Sequence, residues 1–349
     1  MIVRWGIIGC GDVTEVKSGP AFQQVAGSAL AAVMRRNGAL AADYARRHGV
    51  PNWYDDADAL IADPDVDAVY VATPPGSHCE HALRACRAGK PAYVEKPLAR
   101  NHPECQAMVD AFRSARLKLF VAYYRRALPR FLKVKELIDA GRLGSLTSAH
   151  YEYAEPPRAF DSTDLPWRYR AEASGGGLFF DIGSHALDLL DFLLGPLVDV
   201  DGRARNITTR HDVEDQVEMR FRTEAGASGT ATWDFASSRS RDMIEIHGTS
   251  GVVSFAVFGG APIQWVSGHR AEVLDLPHPP HIEQPMIQTV VDDLLGRGAC
   301  ASTGESAART AAVMDRATLG YYGSRSDGFW NRSASWPGRR GRSDAAGER

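Results

Sequence analysis

The sequence predicts an α/β protein of two domains: a doubly wound parallel sheet, then an α+β domain with a large, mostly antiparallel open sheet. At 349 residues the chain is long for a single domain. Short apolar runs alternate with amphipathic stretches in its first third, whereas later runs alternate apolar with polar residues. We therefore place the domains at residues 1–123 and 124–330. Residues 331–349 are expected to form a disordered tail, because the composition there turns to Arg, Gly, Ser and Ala.

The first domain contains strands that are apolar throughout, separated by amphipathic helices. Apolar residues at every position are typical of a sheet that helices cover on both faces. The predicted strands are Ile2–Ile8, Ala29–Met34, Ala68–Ala72, Pro91–Val94 and Leu117–Tyr123. The predicted helices are Ala39–His48, Asp56–Ala62, Ser77–Ala88 and Pro103–Ala115.

The second domain contains runs with a period of two, which indicates strands with one face available for packing. These runs are Leu146–Tyr153, Val198–Asn206, Gln216–Phe221, Ser228–Phe235, Met243–His247 and Gly251–Phe255. Amphipathic segments predict four helices, at Pro129–Ala140, Ser184–Leu194, Ile282–Leu295 and Ser306–Tyr322.

Composition and charge exclude several functional classes. Forty basic residues against 43 acidic ones give a formal charge of −3, which leaves no basic field to hold nucleic acid. A hydrophobic content of 44% with 24% charged residues is typical of globular proteins, and no apolar run has the length of a membrane span. Five scattered cysteines without CxxC spacing argue against a disulfide framework or a zinc site and suit a reducing cytoplasm. We expect no export signal at the N-terminus.

A Gly-x-Gly turn, Gly9-Cys10-Gly11, directly follows the first predicted strand and precedes a predicted helix. Gly9 would permit a tight turn, and Gly11 would let backbone N–H groups, those of Asp12 and Val13, approach a pyrophosphate. Thr14 replaces the third glycine of the dinucleotide-binding fingerprint. The alternative is an ordinary strand–turn, which the position at the first βα turn disfavours.

Two arginines, Arg35 and Arg36, end the second predicted strand. NAD-binding domains usually carry an acid at this place, which accepts a hydrogen bond from the ribose 2′-OH. Two guanidinium groups could instead hold a 2′-phosphate bidentately, so the sequence favours NADP(H) over NAD(H). The alternative is a solvated arginine pair at a loop tip.

Polar segments follow two further strands of the first domain, at the carboxyl ends where open α/β sheets bind ligands. One is Thr73-Pro74-Pro75-Gly76-Ser77-His78 and the other is Glu95-Lys96-Pro97. We expect the ammonium group of Lys96 to point into the crevice at this edge, because Pro97 keeps the preceding backbone extended. The alternative is a surface lysine paired with Glu95.

The densest constellation of the second domain runs from Ser174 to Asp188. Three glycines predict a loop that allows close approach, and Asp181 and His185, four residues apart, are expected on one face of a helix. A histidine beside a carboxylate can move a proton on and off a hydroxyl group. Two alternatives are a metal site that includes Asp188, and a helix cap at Asp181 with a packed His185.

Together these motifs resemble the Gfo/Idh/MocA family of NAD(P)-dependent oxidoreductases. The resemblance covers about residues 2–330 and is carried in order by the Gly-x-Gly turn, Glu95-Lys96-Pro97, Tyr123-Tyr124-Arg125-Arg126, Trp167-Arg168 and Gly-Gly-Gly…Asp181-x-Gly-x-His185. It implies an N-terminal Rossmann domain and hydride transfer at a sugar or cyclitol carbon. It also implies a homodimer or homotetramer, because the C-terminal sheet of the family commonly forms the oligomer interface.

The resemblance also implies roles for individual residues. The catalytic residues would be Lys96, which orients the reacting oxygen, His185, which exchanges the hydroxyl proton, and Asp181, which binds the substrate. The cofactor-binding positions would be Gly9, Gly11, Asp12, Val13, Arg35, Arg36, Thr73, Pro74, His78, Glu95 and Lys96. The substrate-binding positions would be Tyr124, Arg125, Trp167, Arg168, Asp181 and His185, and no metal is expected. Arg35 with Arg36 is similar to the NADPH-using subgroup of 1,5-anhydrofructose reductases.

The expected function is therefore an NADP(H)-dependent oxidoreductase of the cytoplasm that acts on a CH–OH group of a sugar, keto-sugar or cyclitol, with NAD(H) as the second candidate cofactor. Two rival functions belong to other classes. One is a dinucleotide-binding sugar sensor without turnover, against which the intact Lys96, Asp181 and His185 argue. The other is an NAD-dependent glycoside hydrolase. Fold analogy alone does not choose among them.

Overall fold

A computed structural model describes residues 1–161, 164–326 and 328–339 of the chain. The chain divides into two compact units. The first comprises Met1–Ala99, Glu104–Leu128 and Pro279–Ala308, and the second comprises Arg100–Pro103, Pro129–His278 and the described residues from Arg309 onward. No helix in the described part of the chain has the length and apolar character that a membrane span requires.

Fourteen strands and twelve α-helices in the described ranges are numbered in chain order. The strands are β1 Val3–Ile8, β2 Ser28–Met34, β3 Asn52–Tyr54, β4 Ala68–Val71, β5 Ala92–Val94, β6 Leu119–Val121, β7 Leu146–Ala154, β8 Leu197–Arg205, β9 Gln216–Thr223, β10 Ser228–Asp234, β11 Arg241–Gly248, β12 Val252–Phe255, β13 Ile263–Ser267 and β14 Arg270–Leu274. The helices are α1 Asp12–Val16, α2 Gly19–Gln24, α3 Gly38–His48, α4 Ala57–Ala62, α5 His78–Arg87, α6 His102–Ala115, α7 Pro129–Asp139, α8 Ala171–Ser174, α9 Ser184–Leu194, α10 Gln284–Leu294, α11 Gly304–Ala317 and α12 Leu319–Tyr322.

The first unit contains a six-stranded parallel sheet in the order β3-β2-β1-β4-β5-β6. This is the doubly wound order in which a ligand binds beyond the carboxyl ends of the strands, where the strand order reverses next to β1. All four residues of β4 are fully buried, as expected for a strand covered on both faces. The predicted parallel sheet is therefore confirmed, and the three-residue edge strand β3 is an addition to it.

A cluster of large aromatic side chains packs in the core of the first unit. Trp5, Phe22, Tyr70 and Tyr93 are fully buried. The ring centroid of Phe22 lies 5.0 Å from that of Trp5 and 5.1 Å from that of Tyr70. The rings of Tyr70 and Tyr93 are stacked, with 5.1 Å between their centroids. This packing fixes the positions of β4 and β5, whose carboxyl ends carry the candidate site residues Thr73 and Lys96.

The second unit contains an eight-stranded sheet in the order β14-β13-β12-β11-β7-β10-β9-β8. Only β7 and β10 pair in parallel, so the predicted mostly antiparallel sheet is confirmed. Side chains alternate between buried and exposed along β9 and β10, which shows that one face is covered. The hairpin β13–β14 is an addition to the predicted strands, although both of its strands have a period of two around a turn at Gly268.

The segment with the glycine-rich loop packs on the covered face of this sheet. A π-helical turn at Phe179–Gly183 leads directly into α9, which begins at Ser184 as predicted. The ring of Phe179 lies 4.8 Å from that of Trp233 on β10, at 72° between the ring planes. Nearly every residue of α9 is buried, and therefore the helix that carries His185 has a fixed position on the sheet.

The predicted domain boundaries lie between residues 123 and 124 and after residue 330. The two units of the structure divide the chain differently. Residues 279–308, which include α10, return to the first unit instead of completing the second. The side chain of Gln288 on α10 explains this, because its amide accepts from the Ala26 N–H at 2.9 Å and donates to the Ala26 carbonyl at 3.2 Å. Helical periodicity predicts such a helix but not the unit in which it packs.

The tail predicted to be disordered from residue 331 is structured in its described part. Residues Phe329–Ser335 form a 3₁₀ segment, and Trp336 is only 2% exposed because it packs against Tyr321 and Tyr322. The structure thus differs from the predicted disorder at residues 331–339, because the packing of Trp336 on two tyrosine rings outweighs the polar composition. The remainder of that prediction, residues 340–349, lies outside the described residues.

Candidate active site

The Gly-x-Gly turn has the backbone geometry expected of a phosphate-binding turn. Gly9 has φ of +94°, and a Cβ there would lie 2.8 Å from the Thr73 methyl carbon and 3.0 Å from backbone atoms. Only glycine is therefore compatible with this position. At Gly11 a Cβ would meet nothing closer than the Gly9 carbonyl oxygen at 3.9 Å, so the space beside this residue is open.

Thr14 closes this turn in place of the missing third glycine. Its hydroxyl accepts from the Gly11 N–H at 3.0 Å and donates to the Gly11 carbonyl at 2.8 Å. The N–H groups of Asp12 and Val13 begin α1 and have no acceptor among the described residues. These two N–H groups are therefore the ones that can meet an anion at the turn.

Arg35 and Arg36 lie at the carboxyl end of β2 and are both exposed. No carboxylate of the described residues forms an ion pair with either guanidinium group. The backbone N–H of Arg35 donates to the Tyr54 carbonyl at 3.2 Å, which fixes the start of the loop. Two exposed, positively charged side chains can therefore bind an anion at this end of the sheet.

His78 connects the two loops that follow β4 and β5. Its Nε2 lies 2.6 Å from the Thr73 carbonyl and its Nδ1 lies 3.0 Å from the Pro97 carbonyl. Burial lowers the pKa of His78 to about 4, so near neutral pH the ring is uncharged and donates only one of these bonds. Both ring nitrogens face protein carbonyls, so His78 holds the two loops together. It lies in the loop for which cofactor binding is predicted.

Glu95 and Lys96 differ in exposure, although they are neighbours in sequence. Glu95 is buried, accepts from the Tyr70 hydroxyl at 2.6 Å through Oε1, and accepts from the Lys96 N–H at 3.1 Å through Oε2. Lys96 itself is partly exposed. Glu95 therefore holds the backbone of Lys96 from inside the unit.

A second buried carboxyl group, Glu283 at the start of α10, was missed by the sequence analysis. Its Oε2 is buried without a hydrogen-bond partner among the described residues. Burial, and then the charge of Glu95, raises the pKa of Glu283 well above its usual range, and burial also raises the pKa of Glu95. An unpartnered buried oxygen costs less free energy on a neutral acid than on a carboxylate, so this environment favours the neutral form of Glu283.

In the second unit, Asp181 lies in the π-helical turn and His185 in the first turn of α9. Both are nearly buried, with 9% and 5% of their surfaces exposed. Arg168 forms an ion pair with Asp181, with 2.8 Å between Nε and Oδ2, and its guanidinium group stacks over the ring of Trp167 at 4.3 Å. The structure thus brings Trp167, Arg168 and Asp181 together, and π-helical turns are frequent at functional sites.

The other two predicted substrate residues, Tyr124 and Arg125, belong to the first unit. They lie in a 3₁₀ turn directly after β6, with the Arg125 guanidinium group 4.8 Å from the centre of the Tyr124 ring. Both are buried, with 7% and 4% of their surfaces exposed. Pro74, in contrast, is exposed, and Thr73 is partly exposed and hydrogen-bonded to the Ser77 hydroxyl at 2.8 Å.

Glu214, a residue that the sequence analysis did not single out, supports the glycine-rich loop. Both of its carboxylate oxygens lie 2.9 Å from the Gly177 nitrogen, which donates to them, and the Tyr322 hydroxyl donates to Oε2. A Cβ at Gly177 would collide with the Glu214 carbonyl oxygen, so glycine is required there. Burial raises the pKa of Glu214 to about 7, because the fully buried carboxylate loses its hydration.

The geometry of the described residues does not support the alternative of a metal site at Asp181, His185 and Asp188. No group of three or more His, Cys, Asp or Glu side chains in residues 1–161, 164–326 and 328–339 is placed to hold a metal ion.

Comparison with known proteins identifies both parts of the chain. Residues 3–123 match the model of an oxidoreductase family with an NAD-binding Rossmann fold, and residues 131–254 match that of a Gfo/Idh/MocA C-terminal domain. Oxidoreductase P35 from Formosa agariphila is 38% identical over 317 residues, which are 90% of this chain and 97% of that protein.

Two further relatives are similar over nearly their whole lengths. 1,5-Anhydro-D-fructose reductase from Ensifer adhaerens is 29% identical and is aligned over 91% of this chain and 97% of its own. The solved structure of levoglucosan dehydrogenase in complex with NADH and levoglucosan has 25% identity and a TM-score of 0.80, and it covers 91% of this chain and 97% of its own. With an NAD-binding Rossmann domain and a matching C-terminal domain, the chain belongs to the Gfo/Idh/MocA family of oxidoreductases.

Proposed function

We propose that this protein is an NADP(H)-preferring oxidoreductase that transfers a hydride to or from a CH–OH carbon of a sugar, keto-sugar or cyclitol. The observation that carries the proposal is the presence of Lys96 at a strand's carboxyl end and of Asp181 and His185 in one segment, in a chain with an NAD-binding Rossmann domain. Relatives that are named for anhydro-sugars and align over nine-tenths of the chain support the substrate class.

The residues of the glycine turn fit a dinucleotide cofactor. The space beside Gly11 is open, and the N–H groups of Asp12 and Val13 have no acceptor among the described residues. A bound nicotinamide cofactor would supply or accept the hydride. The two N–H groups would hold its pyrophosphate, and glycine at positions 9 and 11 would keep side chains out of the space that the phosphates need.

The chain's own residues would handle the oxygen of the substrate. When the alcohol is oxidised, the O–H bond breaks and the proton passes to His185, and it returns from His185 in the reverse direction. Lys96 would donate a hydrogen bond to the same oxygen and stabilise its developing negative charge. Asp181, oriented by Arg168, would accept from a neighbouring hydroxyl group of the substrate and so fix its orientation.

The test of this function is a panel of keto-sugars, sugars and polyols, followed at the nicotinamide absorbance with NADPH, NADH and their oxidised forms. We expect turnover of at least one cyclic sugar or cyclitol. Binding of the dinucleotide without a single turnover on any of these compounds would favour the sensor. Release of nitrophenol from nitrophenyl glycosides without net reduction of the cofactor would favour the glycoside hydrolase.

The cofactor preference rests on Arg35 and Arg36 and has its own prediction. The double variant Arg35→Ala, Arg36→Ala is expected to raise KM for NADPH by about tenfold or more, because charge-assisted hydrogen bonds to a phosphate are lost. KM for NADH, which has no 2′-phosphate, is expected to change by less than about threefold. Steady-state kinetics with both cofactors measure the ratio.

Arg46→Ala is the matched control for this pair. Arg46 is an exposed arginine on the neighbouring helix α3 and pairs with Asp43 on the same helix. Its removal is expected to leave the ratio of the two KM values unchanged, since exposed ion pairs within a helix contribute little. An unchanged preference in the Arg35, Arg36 double variant would refute the phosphate-binding role.

We also propose that the protein forms a homodimer or homotetramer in the cytoplasm. Arg220, Thr230, His150 and Glu245 lie opposite one another across four strands, on the face of the large sheet that leaves side chains accessible. Such a broad polar face supports an interface between copies, and sedimentation velocity gives the mass that tests it. All five cysteines are free thiols, which supports a reducing compartment.

A further inference from the structure

In the loop of residues 256–261, directly after β12, three successive backbone N–H groups donate to a single carboxylate. Asp242 on β11 accepts from the N–H groups of Val257 at 3.1 Å, Phe258 at 2.7 Å and Gly259 at 3.1 Å. Three successive N–H groups on one carboxylate define the path of the backbone at this point, because each bond restricts a separate peptide plane.

A buried arginine satisfies the carbonyl groups of the same loop. The guanidinium group of Arg130 on α7 donates to the Gly259 carbonyl at 2.8 Å and to the Ala261 carbonyl at 2.7 Å. Arg130 is only 3% exposed. A loop with two glycines at its tip, Gly259 and Gly260, would otherwise be free to adopt many conformations, so a carboxylate and a guanidinium group together determine which one is adopted.

This loop places the ring of Phe258 against His185. The two ring centroids are 5.8 Å apart with 80° between the ring planes, which is an edge-to-face contact. The ring of Tyr153 lies 5.5 Å from Phe258 on another side, at 68°. Tyr153 is itself fixed, because its hydroxyl donates to Glu155 at 2.8 Å and its ring packs on Phe235 at 5.6 Å.

Phe258 remains partly exposed, whereas His185 beside it is nearly buried. An aromatic surface next to a proton-transferring histidine is suited to one kind of substrate. The ring face of an aromatic side chain carries negative potential, and the C–H groups on the less polar face of a cyclic sugar or cyclitol carry positive potential. An open-chain polyol has no such flat face.

We propose that Phe258 is a specificity-determining residue of this enzyme, which stacks against the C–H face of a cyclic sugar or cyclitol whose reacting carbon lies at His185. Asp242 and Arg130 are positioning residues for it, and Tyr153 supports its ring. The proposal rests on the proposed function and adds the shape of the substrate: a ring, recognised by one apolar face.

The test compares Phe258→Leu with wild type on a cyclic substrate from the panel and on an open-chain polyol or ketose. Leucine keeps an apolar side chain but removes the ring face. The ratio of kcat/KM for the cyclic substrate to that for the open-chain one is expected to fall by about tenfold, chiefly through KM of the cyclic substrate. Phe258→Tyr, which keeps the ring, should retain at least about half of the wild-type ratio.

A second set of variants separates positioning from general damage to the fold. Asp242→Asn loses one of the two acceptor oxygens and should lower the same ratio, and the double variant with Phe258→Leu should lose no more than Phe258→Leu alone. Phe160→Leu removes a partly exposed ring that packs on Tyr169 elsewhere in the second unit, and it should leave the ratio unchanged. Each variant is first checked by thermal unfolding.

Two results would overturn the proposal, and they differ from each other. In the first, wild type turns over cyclic substrates, and Phe258→Leu keeps the ratio of cyclic to open-chain kcat/KM within about twofold of the wild-type ratio. The stacking role is then wrong and the oxidoreductase function stands. If wild type turns over no sugar or cyclitol at all, the proposed function itself fails, and the assignment of Phe258 fails with it.

Discussion

Replacing Lys96 by methionine is expected to lower kcat by roughly 10²–10³-fold, which is the range for loss of one donor that stabilises a developing negative charge on oxygen. Methionine has a similar length and apolar stem but no ammonium group, so it cannot donate to the reacting oxygen. The bond from the Lys96 N–H to the buried Glu95 carboxylate involves only backbone and is retained in the variant. Steady-state kinetics with the best substrate of the panel measure the loss.

Binding of the cofactor should survive this substitution, because the glycine turn and Arg35 are unchanged. Fluorescence titration with NADPH measures the Kd of wild type and variant. Lys118→Met is the matched control, since the side chain of Lys118 is 61% exposed and its ammonium group pairs with Asp293 at 3.2 Å. Undiminished turnover in Lys96→Met would defeat the assignment of Lys96 as a catalytic residue.

The substitution Glu214→Gln is expected to change how protein stability depends on pH. The pKa of Glu214 is about 7 in the folded protein, raised by burial from an ordinary 4.5. Between these two pH values the folded state binds more protons than the unfolded state, so this group lowers the free energy of unfolding as pH rises. This decrease in the free energy of unfolding is absent below pH 4.5 and complete above pH 7. It amounts to about 3 kcal/mol.

Glutamine stays neutral and keeps an oxygen that can accept from the Gly177 N–H and the Tyr322 hydroxyl. Between pH 4.5 and pH 8, the wild type should therefore lose about 3 kcal/mol of unfolding free energy relative to Glu214→Gln. Denaturant unfolding at a series of pH values measures it. Glu218→Gln is the control, because Glu218 on the nearby strand β9 is 52% exposed and pairs with Arg205 at the surface. Parallel pH profiles for Glu214→Gln and wild type would contradict the raised pKa.

The local features of the first unit could be predicted from the sequence because they depend on neighbouring residues. The apolar run Ala68–Ala72 predicted a strand buried on both faces, and Gly9 predicted a turn that no side chain fits. The edge strand β3 was missed because three residues, Asn52–Tyr54, are too few to show a period. The hairpin β13–β14 was missed although its pattern was present.

The candidate site residues divide in the same way between those that the sequence predicts and those that only the folded chain shows. Lys96, Asp181 and His185 could be predicted as site residues because each lies in a short motif that can be read along the chain. Glu283 and Glu214 could not be predicted in this way, since each interacts with a residue far away in sequence, Glu283 with Glu95 and Glu214 with Gly177. Both are carboxyl groups whose role follows from burial, which is a property of the folded chain.

The amino-acid pattern alone determined the two sheets, the glycine turn and the motif residues, because backbone sterics and hydrophobic periodicity act over a few residues. Folding decided which unit α10 joins, that Trp336 is buried, and that Asp242 and Arg130 fix Phe258 beside His185. The physical reason is that packing, desolvation and hydrogen bonds between distant segments depend on distances that exist only after the chain has folded.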